Sequence, residues 1–180
     1  MRKYYILDMD GTLCGSMEYW RLETAMVDDF SDVKQIEPAF AKMREHYRDS
    51  VKLKDGVMEF LENARSRGIK MCIATGTRRD VAQPFLDKTG IMDFMEFYID
   101  CFDVRAFKEK PDIYLRAAEL FKASAAECAV FEDAEYSAAT ARNAGFFVVG
   151  IHDDVAAREG NTRAYSDLFL ESWRDFNWDI

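Results

Sequence analysis

Histidine is scarce in this 180-residue chain, with His46 and His152 the only two. Two histidines give little basis for a His-built metal site or a Ser-His-Asp triad, and both read as surface or packing residues. Cysteine is sparse and scattered: Cys14, Cys72, Cys101 and Cys128 form no CxxC pair, which fits buried thiols in a reducing compartment better than a disulfide frame or a zinc site. No apolar run approaches the roughly eighteen residues that a membrane helix needs. The opening MRKYYILDMDGT meets charge again at Asp8, unlike a signal peptide. The expectation is a cytoplasmic protein with no membrane partner. A dense Lys/Arg block is also missing and the net charge is −9, so nucleic acid is not an expected partner. What remains is 49% hydrophobic residues beside 32% charged, the composition of an ordinary globular chain with one domain and at most a small accessory lobe.

Short apolar runs alternate with helix-period stretches. Residues 3–9 read as a buried strand because Tyr4, Tyr5, Ile6 and Leu7 lead to the turn-forming Asp10-Gly11. Further strands are expected over 69–74, 97–99, 128–131, 146–151 and 168–170, each short enough for a sheet buried on both faces. Residues 55–67 carry Val57, Phe60, Leu61 and Ala64 at helical spacing and stop at Gly68, while 111–121 starts on a proline. This alternation predicts an α/β fold, a Rossmann-like doubly wound parallel sheet with ligands bound beyond the carboxyl ends of its strands. Residues 15–54 break the pattern. Tyr19, Leu22, Met26 and Phe30, then Phe40, Met43, Tyr47 and Val51, make two helical stripes with no strand between them. They predict two helices joined over 31–38, an inserted helical cap over a core of 1–14 and 55–180; the alternative is that they pack on the sheet as part of one core.

Three sites at predicted strand ends carry acids or hydroxyls. Asp8 and Asp10 end the first strand on one side, where a carboxylate pair suits metal-assisted transfer: one acid attacks phosphorus and contacts Mg²⁺, the other protonates the leaving oxygen. Taken alone, Asp-x-Asp-Gly is also a common turn. Thr75 ends the second strand in Ala74-Thr75-Gly76-Thr77, where a hydroxyl and turn amides can bind phosphate oxygens; the same residue could be a helix N-cap. Glu132-Asp133 follows a buried strand and suggests metal ligation.

These residues resemble the haloacid dehalogenase superfamily, in its branch with a helical cap between the first and second motifs, which includes phosphoglycolate phosphatase-like enzymes and β-phosphoglucomutase. Asp8-Met-Asp-Gly-Thr-Leu is similar to motif one, Ala74-Thr-Gly-Thr to motif two, and the stretch from Val130 to Gly145 to motif four, while Leu53-Lys-Asp-Gly-Val-Met-Glu-Phe-Leu resembles the return from the cap. The resemblance implies a Mg²⁺-dependent phosphoric monoester hydrolase acting on a small phosphorylated metabolite. Asp8 would be the nucleophile that becomes an aspartyl phosphate and Asp10 the general acid and then base. Thr75 and Gly76 would bind the phosphoryl group; Asp8, the Asp10 carbonyl, Glu132 and Asp133 would hold the metal.

A lysine must offset the carboxylates if they are to receive a phosphate. Aligning Pro111-Asp-Ile-Tyr-Leu without a gap puts Lys108 at the family's motif-three position, although Lys110-Pro111 copies its Lys-Pro pair. Lys108 is favoured because slipping a helix register is costlier than replacing a loop proline. Gly15-Ser16 departs from the branch's usual Asp-Ser or Asp-Thr, so a polar contact near the cap hinge is expected to be missing. Tyr19, Trp20, Arg44 and Arg48 are the cap residues that could meet substrate. Asp10 argues against carbon-halogen cleavage, which needs no leaving-group acid. The short cap favours hydrolysis over a mutase of the β-phosphoglucomutase type, and the intact acids argue against a non-catalytic binding protein on the same fold.

Overall fold

The computed structural model describes residues 2–29 and 32–180. Strands β1 (Tyr4–Leu7), β2 (Lys70–Thr75), β3 (Met95–Asp100), β4 (Cys128–Glu132), β5 (Phe147–Ile151) and β6 (Leu168–Leu170) form one sheet in the order β3-β2-β1-β4-β5-β6. Every pairing is parallel. All six expected strands are present and the fold is the expected Rossmann-like one. A strand buried on both faces must be apolar at successive positions, and period-two geometry divides those positions between two cores. Tyr5, Leu7, Met71, Ile73, Ala129 and Phe131 face one cluster; Ile6, Cys72, Ala74, Cys128 and Val130 face the other.

The helices are α1 (Met17–Glu23), α2 (Val33–Asp49), α3 (Val57–Ser66), α4 (Arg79–Thr89), α5 (Cys101–Val104), α6 (Asp112–Phe121), α7 (Glu135–Asn143) and α8 (Ala156–Glu159). Helices α3 and α4 bury Phe60, Leu61, Val81 and Phe85 in the first cluster, while α6 and α7 bury Ile113, Ala117, Phe121 and Ala141 in the second. The strand order reverses between β1 and β4. The carboxyl ends of these two neighbours therefore open on the crevice where such sheets bind ligands. The four cysteines are free and buried, three of them in the second cluster.

Two helices occupy 15–54, but their junction differs from the expected one. The first stops at Glu23, and Thr24 Oγ1 donates back to the Trp20 carbonyl at 2.7 Å. The second begins after Asp32, whose carboxylate accepts from the Lys34 amide at 2.9 Å. Pro38, expected in the joint, lies inside α2. An Asx cap supplies a helix start wherever an aspartate precedes a helical stripe, and an exposed proline in the second turn forgoes a single backbone bond that α2's buried face offsets. Phe30 and Ser31, the end of the first stripe and the start of the expected joint, lie outside the described residues. Ile36, Phe40, Met43 and Tyr47 of α2 pack on α4 and belong to the first cluster. Lys88 of α4 donates to the carbonyls of Tyr47, Arg48 and Val51 at 2.8, 3.1 and 2.8 Å, satisfying the open end of α2.

Candidate active site

Asp8 follows directly on β1, and its amide donates to the Phe131 carbonyl of β4 at 3.0 Å, so the switch point itself aims its side chain. Asp133 follows β4 in the same way. Lys108 comes from the loop between α5 and α6. Asp8, Lys108, Glu132 and Asp133 are 5%, 5%, 1% and 3% exposed, a buried charge cluster that an apolar core would not tolerate without pairing. Lys108 Nζ donates to Asp8 Oδ1, and to Glu132 Oε1 at 2.7 Å. Glu132 Oε1 also accepts from the Tyr114 hydroxyl at 2.7 Å. Lys110 is exposed.

The acids outnumber the cation. Burial, with Glu132 and Asp10 adding repulsion, pushes Asp8 up to about 7 against the pull of Lys108. Burial and the charges of Asp8 and Glu132 hold Asp133 well above the usual carboxylate range. Burial works against a charged Lys108, but the two carboxylates more than offset it and hold its ammonium well above the ordinary lysine value. Asp8 Oδ2 and Asp133 Oδ2 are buried without a protein partner. One oxygen each of Asp8, Glu132 and Asp133 lies within 4.8 Å of the others. Crowded carboxylates with unpartnered oxygens and excess negative charge form a hard, all-oxygen donor set that fits a divalent cation.

Gly11 makes this crowding possible. Its φ is +82°, and a Cβ there would fall 2.0 Å from Asp133 Oδ2. Thr12 Oγ1 donates to Asp133 Oδ1 at 3.1 Å, and Thr162 Oγ1 donates to the Asp133 carbonyl, so the residue is held from two sides.

Asp10 belongs to a different constellation. Its Oδ1 accepts from Ser16 Oγ at 2.6 Å and from the Tyr47 hydroxyl, and its Oδ2 accepts from Thr77 Oγ1 at 2.7 Å and Thr75 Oγ1 at 3.4 Å. Trp20 Nε1 in turn donates to the Tyr47 hydroxyl at 3.0 Å. Ser16, the second residue of the Gly15-Ser16 pair, thus makes a polar contact near the hinge, while Gly15, in the place of the branch's aspartate, has no side chain to add another. Thr75 is not a helix cap, since α4 begins four residues later with Arg78 at its N-cap, and the Thr75 hydroxyl accepts from the Thr77 amide at 3.1 Å. Asp8, Asp10, Thr75, Gly76, Lys108, Glu132 and Asp133 all line one pocket of about 500 Å³.

Of the four cap residues considered from sequence, only Trp20 lines this pocket, with Met17, Ile36 and Phe40. Tyr19 packs at a tilt on His46, ring centroids 4.5 Å apart, Arg44 pairs with Asp80 at 2.7 Å, and Arg48 pairs with Asp49 at the surface. Sequence reasoning missed Ser16, Thr77, Tyr47 and Tyr114 as neighbours of the acids. The one signal for Tyr47 is a hydroxyl-bearing ring within the otherwise apolar stripe Phe40, Met43, Val51.

A model of haloacid dehalogenase-like hydrolases matches residues 15–145. The chain is 31% identical over 118 residues to β-phosphoglucomutase of Bacillus subtilis (strain 168), covering 64% of this chain and 51% of that protein. It is 27% identical over 124 residues to validoxylamine A 7′-phosphate phosphatase of Streptomyces hygroscopicus subsp. limoneus, covering 69% of this chain and 57% of that one. The chain thus spans little more than half the length of these curated relatives. The crystal structure of CbbY from Rhodobacter sphaeroides in complex with phosphate shares the fold, with a TM-score of 0.78 at 19% identity over 97% of this chain and 96% of that one. With the family model covering well over half of its residues, the chain belongs to the haloacid dehalogenase-like hydrolases.

Proposed function

We propose that this chain is a Mg²⁺-dependent phosphatase that hydrolyses a small phosphorylated metabolite through an aspartyl phosphate on Asp8. The observation that carries the reading is the Asp8 carboxylate on the pocket floor, with one oxygen on Lys108 and the other without a protein partner. Residues 15–54 serve as a cap over a core of 1–14 and 55–180, and its Trp20 and Phe40 contribute a pocket wall.

Asp8, Asp133, Glu132 and the Asp10 carbonyl would hold Mg²⁺. When bound, the cation supplies positive charge that offsets the carboxylates and the phosphoryl oxygens. The Asp8 carboxylate attacks phosphorus, the bond from phosphorus to the ester oxygen breaks, and Asp10 gives that oxygen its proton. Water then attacks the aspartyl phosphate, Asp10 takes the proton back, and phosphate leaves with the Asp8 carboxylate restored. The hydroxyls of Ser16, Tyr47, Thr75 and Thr77 can accept as well as donate, so their cluster accommodates Asp10 in both protonation states. Lys108 neutralises Asp8 before substrate arrives and then meets the phosphoryl oxygens, while Thr75 and the Gly76 amide bind others.

Asp8→Asn keeps the side chain's shape and removes its nucleophilic charge. Folded Asp8→Asn protein is expected to release no phosphate from p-nitrophenyl phosphate at saturating Mg²⁺, measured beside wild type; substantial release would overturn the reading.

A further inference from the structure

Above the acids, the pocket changes character. Met17 and Trp20 of α1 and Ile36 and Phe40 of α2 form one wall. Phe102 and Phe107 line the same pocket, meet edge to face, 6.0 Å apart at 77°, and remain about half exposed at 45% and 53%. Two large aromatic rings left open to solvent beside a concave site are costly unless something apolar covers them.

What the walls lack points the same way. Among the described residues lining the pocket, Lys108 is the one cation, and Asp8 and Glu132 already hold it. Glu109 adds a negative charge to the lining. Arg44 and Arg78 are not among the lining residues and are paired with Glu37 and Asp80. The Thr24 hydroxyl, which also lines the pocket, donates to the Trp20 carbonyl at 2.7 Å and keeps only its acceptor capacity. A second phosphate or a carboxylate on the leaving group would find no free cation, and beyond the acids and their hydroxyl partners the polar side chains that remain are Glu109, Thr24, Tyr136 and Ser137, set among the rings and the thioether.

We infer that the substrate is a phosphomonoester with a single phosphate and an apolar, ring-bearing leaving group, which packs against the pocket-lining rings of Trp20, Phe40, Phe102 and Phe107. The inference rests on the phosphatase reading for the reacting end and on the walls for the remainder. Hydrolysis of such an ester releases inorganic phosphate and an apolar alcohol.

Leaving-group chemistry must be matched, since aryl esters react faster for reasons unrelated to the pocket. Steady-state kinetics at saturating Mg²⁺ therefore compares three esters of primary alcohols: 2-phenylethyl phosphate, 2-phosphoglycolate and glucose 6-phosphate. The expected kcat/KM favours 2-phenylethyl phosphate by at least about tenfold, the scale of burying one ring in an apolar slot. Phe107→Ala, at an exposed loop position, is expected to raise KM for 2-phenylethyl phosphate by roughly fivefold, and by more than for ethyl phosphate. Equal or better turnover of phosphoglycolate or glucose 6-phosphate would overturn the inference. Binding of 3-phenylpropylphosphonate and 3-phosphonopropionate, read by calorimetry, separates the two readings. Release of phosphate from none of the esters would overturn the phosphatase reading, whereas tighter binding of the phenyl compound in that case would still support the apolar slot. Turnover without preference, together with equal binding of the two phosphonates, would overturn the apolar slot alone, and no release with equal binding would overturn both.

Discussion

At the residue scale, the two lysines of the loop before α6 separate by burial. Lys108 reaches Asp8 and Glu132 inside the protein, and Lys110 is exposed two residues later. If Lys108 serves the transferring phosphoryl group, Lys108→Ala is expected to lower kcat/KM at least about a hundredfold, while Lys110→Ala costs little. Kinetics of both variants with p-nitrophenyl phosphate decides between them; a silent Lys108→Ala would remove the lysine from the mechanism. Tyr47 poses a subtler question, because its hydroxyl acts on Asp10 and lies outside the pocket lining. Tyr47→Phe removes one donor to Asp10 and keeps the ring in the core. The expected result is a kcat roughly tenfold lower for an alkyl phosphate, with KM little changed and a smaller loss for p-nitrophenyl phosphate, whose phenolate needs less protonation. An equal loss for both esters would show that Tyr47 supports packing alone.

At the element scale, the position of α2 decides whether Tyr47 meets Asp10 at all. The helix is fixed by its apolar face on α4, by Arg44 reaching Asp80, and by Lys88 spanning three carbonyls at its end. A cation at a helix C-terminus that also satisfies open carbonyls is worth about 1 kcal/mol. Lys88→Met keeps the aliphatic stem and loses the ammonium. It is expected to lower the melting temperature by a few degrees and to reduce kcat in the same ester-dependent way as Tyr47→Phe. Unchanged kcat beside a lowered melting temperature would mean that α2 keeps its register without this tie.

At the scale of the whole molecule, the buried acids place a charge cost on the metal-free fold. Asp8 is pushed up to about 7, from an ordinary value of 3.8. Between those limits the folded chain binds more protons than the unfolded one, so the Asp8 contribution to stability falls as pH rises from about 4 to 7 and stays low above it. Asp133, also held high, contributes with the same sign. Metal-free Asp8→Asn is therefore expected to melt above metal-free wild type at pH 8, by a margin that shrinks as pH is lowered towards 4. Mg²⁺ should raise the wild-type melting temperature more than that of Asp8→Asn, because binding to the folded state alone stabilises it. Scanning calorimetry with chelator and with Mg²⁺ tests both; a metal-free wild type more stable than Asp8→Asn at pH 8 would show that the Lys108 pairing outweighs the crowding.

Local order was legible along the chain. Six apolar runs bounded by turn residues specify six strands, because a sheet buried on both faces writes itself as continuous hydrophobicity. The acids and hydroxyls that end those runs were legible for the same reason, since a strand's end in the sequence is also the crevice in the fold. The α1–α2 junction was not: the cap at Asp32 competes locally with Pro38 as a breaker, and the packing of α2 on α4 decides in favour of a helix running through Pro38. The register at Pro111 already favoured Lys108 over Lys110, but the approach of Gly11 to Asp133 and Tyr47 meeting Asp10 across 37 residues lay beyond the sequence. Each depends on where two distant backbone segments come to rest, and periodicity along one segment carries no information about the distance to another.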